Sequence, residues 1–153
     1  MRHPVIAAAY ACLPVREEPR DSNAGPMVEA MLATVGLAKG QPWCAAFVAW
    51  CGVAGFAKDY PFPKTGGCAD LAKWAASNGR LVQSVTAPCV FLLWFPTMGR
   101  FAHTGFVVDA PDADGFCATI EGNSNDGGSR DGYGVFLRRR KFKPEDRFIT
   151  LPT

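Results

Sequence analysis

Apolar positions follow two rhythms along this chain, and the change between them divides it in half. Up to about residue 78 they recur at helical spacing. Pro4 to Leu13 reads as a short helix ended by Pro14. Met27, Val28, Met31, Leu32 and Val35 form one face of a second helix, closed by Gly36 and capped by Asn23 or Ser22 from the polar loop before it. A third helix runs from about Trp43 to Val53, with Gly55 beyond its end. The stretch from Phe56 to Gly67, with Pro61, Pro63 and two consecutive glycines, is a loop. Cys68 to Asn78 is a fourth helix, with Gly79 at the position that ends helices in a left-handed turn.

Beyond that point the pattern is that of strands. Val90 to Phe95 is a continuous apolar run suited to a central strand. Thr104 to Val108, Phe116 to Ile120, Val135 to Arg139 and Phe148 to Leu151 complete the set. Helices first and strands afterwards predict an α+β fold, with the helices packed on an antiparallel sheet. The 153 residues make one domain, with no internal repeat and no linker.

Composition narrows the class without changing the architecture. A hydrophobic fraction of 48% with 20% charged residues is that of a globular chain, and a net charge of +2 does not argue for nucleic acid. Positive charge is crowded near the end, at Arg138, Arg139, Arg140, Lys141, Lys143 and Arg147. A solvated strand edge is the ordinary meaning of such a run, and a patch for an anionic polymer the other. The six cysteines have irregular spacing and read as free thiols. Cys44 and Cys51, seven apart on one helix, sit about 10 Å from each other, beyond disulfide reach. Without a paired C-x-x-C or a histidine cluster, no zinc site is expected. The N-terminal apolar run is too thinly charged for a clear signal peptide and reads as a helix. No stretch approaches the roughly 20 apolar residues of a membrane span.

The candidate chemistry begins at Gly40-Gln41-Pro42-Trp43-Cys44, where a breaker precedes an apolar helix and leaves Cys44 in its first turn. Unpaired N–H groups and the positive dipole end favour a thiolate there and can bring a cysteine pKa to about 3.5–7.5. A cysteine in an apolar helix is otherwise a small core residue, so the rest of the chain must decide. A thiol nucleophile needs a base, and there are two histidines. His3 lies in a terminal segment expected to fray. His103 begins a strand that turns through Asp112 into the next one. A hairpin centred on Asp112 pairs Val108 with Phe116 and His103 with Glu121, putting a carboxylate beside the imidazole. Asn123 points to the same side.

Gln41-Pro42-Trp43-Cys44-Ala45-Ala46-Phe47-Val48, His103-Thr104-Gly105-Phe106-Val107-Val108 and Ile120-Glu121-Gly122-Asn123-Ser124-Asn125 together resemble the CHAP family of cysteine, histidine-dependent amidohydrolases/peptidases, in the branch of phage lysins and small bacterial wall hydrolases. Glu17 or Glu18, Asn23, Val28 and Ala72-Lys73-Trp74 extend the likeness over most of the chain. The resemblance implies a papain-like fold and cleavage of an amide bond in peptidoglycan, between sugar and stem peptide or within the crosslinks. It makes Cys44 the nucleophile, His103 the base and then acid, Glu121 the group that orients it, and Asn123 an assistant to the histidine or the substrate. The backbone N–H of Cys44 would hold the oxyanion, with Gln41 as side-chain donor. Trp43 is either a core anchor or a substrate contact, and Trp74 and Trp94 are core.

Two departures matter. Leu37 to Gln41 offers no carboxylate for the calcium loop of some relatives, so neither metal nor cofactor is expected. Ala87-Pro88-Cys89-Val90 lacks the Gly-Asp pair that usually starts the strand before the histidine. The loop 123–134 reads as a substrate rim. The implied setting is a monomer made in the cytoplasm and acting on the cell wall after release, with peptidoglycan as partner and no nucleic acid or membrane. An interbacterial effector amidase, an acyl transferase with the same triad, and a non-catalytic wall-binding module are the alternatives.

Overall fold

The fold is described from a computed structural model, over residues 1–124 and 132–153. It is α+β. Four helices, α1 (Pro4–Ala11), α2 (Pro26–Thr34), α3 (Cys44–Phe56) and α4 (Cys68–Ser77), precede six strands: β1 (Leu81–Val82), β2 (Cys89–Phe95), β3 (Arg100–Val107), β4 (Cys117–Ser124), β5 (Gly134–Arg140) and β6 (Arg147–Thr150). The strands form one antiparallel sheet in the order β1-β6-β2-β3-β4-β5. β2, the continuous apolar run, is indeed interior, with Cys89 to Leu92 all buried. β1 is too short and too weakly patterned to be read from sequence.

α3 is the axis of the helical layer. Its small residues Ala45, Ala46 and Ala49 let neighbours approach closely, and its side is buried from Cys44 to Ala49. It packs with α1, α2, β3 and β4 around a core that includes Met31, Leu32, Phe47, Val90, Phe106, Ile120 and Ile149. A second, smaller apolar group of Cys89, Phe91, Val107, Cys117 and Phe148, with Phe142 against it, closes the other face of the sheet. No helix among the described residues is long and apolar enough to cross a membrane.

Two local expectations are corrected. Neither Ser22 nor Asn23 caps α2: Gly25 is its N-cap, and the Gly25 N–H is bonded to the Glu29 carboxylate at 2.9 Å. Proline at the first helical position needs no donor, so Gly25-Pro26 starts the helix without a side-chain cap. His3 is not frayed. Its Nδ1 accepts from the Val5 N–H, and its Nε2 donates to the Pro152 carbonyl at 2.7 Å, tying the two ends of the chain together.

The start of α3 rests on β4 at Gly122. A Cβ there would lie 2.6 Å from the Phe47 Cβ and 2.9 Å from the Trp43 ring, so only glycine allows this approach. Gly122→Ala is therefore expected to cost about 1–3 kcal/mol by overpacking. Denaturant unfolding would measure it, and an unchanged midpoint would refute the packing argument.

Candidate active site

Cys44 is the first residue of α3, with Trp43 as its N-cap. Its own N–H is one of those a helix leaves unpaired at its start. The backbone N–H of Thr104 in β3 is among the groups that favour the charged form of the Cys44 sulfur. β3 and β4 pair at Phe106–Ile120 and Val107–Thr119, with no further ladder pairs among the described residues. The helix start thus meets the strands where their ladder has stopped.

The observed register differs from the hairpin expected on sequence. Val107 faces Thr119, whereas a turn centred on Asp112 would set it opposite Cys117. The slip is two residues, and side chains alternate with a period of two, so Glu121 stays on the same face as His103. The ring reaches it diagonally: His103 Nε2 donates to Glu121 Oε1 at 2.8 Å, with both side chains buried.

Glu121 is saturated by donors. Besides His103, Thr119 Oγ1 donates to its Oε2 at 2.7 Å, Arg140 Nη2 to its Oε1 at 2.7 Å, and Arg140 Nε to its Oε2. Burial, the largest influence on Glu121, opposes its charge. The Arg140 and His103 hydrogen bonds and charges more than offset this and hold the carboxyl well below the usual range. Arg140 was hidden in the sequence because it belongs to the basic run. On edge strand β5, Arg139 does lie at the surface, paired with Asp112 at 2.6 Å, while Arg140 turns inward. Strand alternation within Arg138 to Arg140 was the signal that could have separated them.

Nδ1 is the ring nitrogen of His103 left for the thiol. It has no partner at good hydrogen-bonding angles among the described residues. The interaction with Cys44, which acts on both groups, is thus loose, as such pairs often are before a substrate tightens them. The Cys68 hydrogen bond is the largest influence on Cys44 and lowers its pKa. Burial opposes it, His103 and the Thr104 N–H lower it further, and the thiol lies well below an ordinary cysteine. Burial pulls His103 down, but its bonds to Cys44 and Glu121 and their charges prevail and hold it at about 9.

A thiolate–imidazolium pair is therefore the form to expect at neutral pH. The imidazolium's contribution to stability is complete below about pH 6.5. It is lost as pH rises through about 9. The thiolate's contribution is present above the ordinary cysteine pKa of about 8.5 and lost as pH falls through its lowered value. Iodoacetamide is expected to alkylate Cys44 quickly at pH 7 and below. Rates that rise only around pH 8.5, as for an ordinary thiol, would contradict the pairing.

Asn123 is buried, with φ of 56°. It does not orient the histidine: Nε2 is taken by Glu121, and the Asn123 Oδ1 has no partner among the described residues. Trp43 is not a substrate contact. It is fully buried, and its indole N–H donates to Glu17 Oε1 at 2.9 Å, which makes it the anchor of the helix start. Trp74 and Trp94 are half-buried against their neighbours. Gln41 is exposed and lines a cleft of ≈ 160 Å³ together with Pro42, Cys44, Gly67, Cys68 and Arg100. Of the loop 123–134, residues 125–131 lie outside the described residues. Among the described residues, no group of three or more His, Cys, Asp or Glu is placed to share a metal ion.

Cysteine, histidine and glutamate thus stand in the order of a thiol nucleophile, its base and the base's orienting carboxylate. Comparison of the chain with family models, curated proteins and solved structures gave no match.

Proposed function

We propose that this chain is a cysteine hydrolase that cleaves an amide bond of peptidoglycan through a thioester, as an amidase or a crosslink endopeptidase of the endolysin kind. The observation that carries the acyl-transfer chemistry is the buried His103–Glu121 bond of 2.8 Å beside a cysteine that opens a helix. The choice of wall peptide as substrate, and of a papain-like fold, is supported by the likeness of the Cys44, His103 and Glu121 segments to CHAP enzymes.

In this reading the Cys44 thiolate attacks the amide carbonyl, and the oxyanion is met by the Cys44 N–H, with Gln41 as the nearby side-chain donor. The imidazolium of His103 gives its Nδ1 proton to the leaving amine. The neutral ring then takes a proton from the water that hydrolyses the thioester. Glu121 keeps Nε2 protonated throughout, so Nδ1 is always the nitrogen that exchanges protons. Arg140 and Thr119 hold Glu121 in place.

Purified protein is expected to lower the turbidity of isolated sacculi and to release fragments with new amine and carboxyl ends. Mass spectrometry of those fragments distinguishes amidase from endopeptidase. Intact sacculi after prolonged incubation, with Cys44 still rapidly alkylated, would overturn the wall substrate and leave the acyl chemistry in need of another one.

A further inference from the structure

The Cys44 sulfur has a neighbour that amide hydrolysis does not require. Cys68 Sγ lies 3.6 Å from Cys44 Sγ, and neither sulfur is in a disulfide. Cys68 is the first residue of α4 as Cys44 is of α3, so two helix starts converge on one pair of sulfurs. Both thiols line the same cleft, whose mouth carries the exposed Gln41, Pro42 and Arg100. Its ≈ 160 Å³ accommodate a small hydroperoxide, since a water takes up about 30 Å³.

We propose that Cys44 and Cys68 form a peroxide-reactive dithiol, in which Cys68 converts an oxidised Cys44 into a reversible disulfide that switches the nucleophile off. The Cys44 thiolate attacks one oxygen of a hydroperoxide. The O–O bond breaks, leaving Cys44 as a sulfenic acid and releasing an alkoxide (hydroxide, from hydrogen peroxide) that takes up the imidazolium's proton. The Cys68 sulfur then attacks the sulfenic sulfur, the S–S bond forms, and the hydroxyl leaves with the Cys68 proton as water. Two thiols are oxidised by two electrons, and the hydroperoxide is reduced to an alcohol and water. The sulfurs must close from 3.6 Å to about 2.05 Å, a movement within reach of side-chain rotation.

Three of the other four thiols are less suited. Burial raises the pKa of Cys51, Cys89 and Cys117, which keeps them as unreactive thiols. Cys12 lies against Cys51 and is the pair to compare with.

The switch-off rests on the hydrolase reading, but disulfide formation does not, so the two are read separately. The full chain is treated with hydrogen peroxide, blocked with N-ethylmaleimide and digested without reduction. A mass lower by two hydrogens, a Cys44–Cys68 crosslinked peptide, and loss of Cys44 labelling that dithiothreitol restores are the expected results. In Cys68→Ala, and likewise in Cys68→Ser should the alanine variant fold poorly, the same dose should take Cys44 on to sulfinic acid, which dithiothreitol does not reverse. A crosslink confined to Cys12–Cys51, or Cys44 reaching sulfinic acid as readily in the wild type as in the variants, overturns the proposal. Neither result depends on any substrate, so inactivity on sacculi bears only on the function.

Discussion

Replacing Cys44 with alanine is expected to reduce fragment release from sacculi by about three orders of magnitude or more, because the attacking atom is gone and only binding and the oxyanion donors remain. Folding should be nearly untouched. The change deletes one sulfur at a position 6% exposed, and His103, relieved of its thiolate neighbour, keeps the Glu121 carboxylate on Nε2 as its partner, charged or neutral. A stability change within about 1 kcal/mol follows, since no charge is left without a partner and only a small volume is emptied. Turbidity and fragment mass spectrometry measure the first effect, and circular dichroism on heating the second. A variant that kept wild-type rates would end the case for a thiol nucleophile. One that failed to fold would show that Cys44 is chiefly a core residue.

Glu121→Gln should damage both activity and stability. The carboxylate is fully buried and takes hydrogen bonds from His103, Thr119 and both sides of the Arg140 guanidinium. An amide offers one acceptor oxygen and two unwanted donors, so Arg140 loses half of its fork and its counter-charge together. Breaking a buried pair from one side costs about 3–5 kcal/mol. Activity should fall about a hundred- to ten-thousand-fold, because nothing then holds Nε2 protonated and Nδ1 ready for the thiol.

The two effects separate by pH and temperature. Below its ordinary pKa of about 4.3, glutamate in the unfolded chain gains a proton. The folded carboxyl is held well below that, so wild-type stability from Glu121 is present above about pH 4.3 and lost as pH falls through the depressed folded value. The variant should lack this acid-dependent component. Denaturant unfolding at two pH values tests this, with rates taken only where the variant is folded. Equal pH dependence in wild type and variant would mean that Glu121 is not the buried anion described.

Much of the framework was legible in the chain itself. Helical periodicity and proline and glycine punctuation located α1 to α4 to within a few residues, because those signals are local and a helix closes its own hydrogen bonds. The apolar run at β2 marked an interior strand for the same reason. Cys44 at a helix start, with His103 and Glu121 on one sheet face, required only the breaker before the helix and the period of the strands. That period is also why a hairpin centre misplaced by one residue, which changes every cross-strand pair, still leaves His103 and Glu121 on one face.

What remained hidden depends on partners far apart in sequence. β6 inserts between β1 and β2, an arrangement that no local pattern encodes. Trp43 became an anchor only once Glu17 was seen to accept its N–H from 26 residues away. Arg140 reads as one more charge in a basic run until β4 and β5 pair and carry it to Glu121. Cys68 reads as the apolar start of a separate helix until α4 packs against β3 and sets its sulfur beside that of Cys44. Which elements form and which residue types could do chemistry were both written in the chain, since both follow from short-range pattern and intrinsic reactivity. Tertiary packing alone decided the two contacts that tune the site, Arg140 on Glu121 and Cys68 on Cys44. Each arises where separate elements meet, and burial gives it its strength.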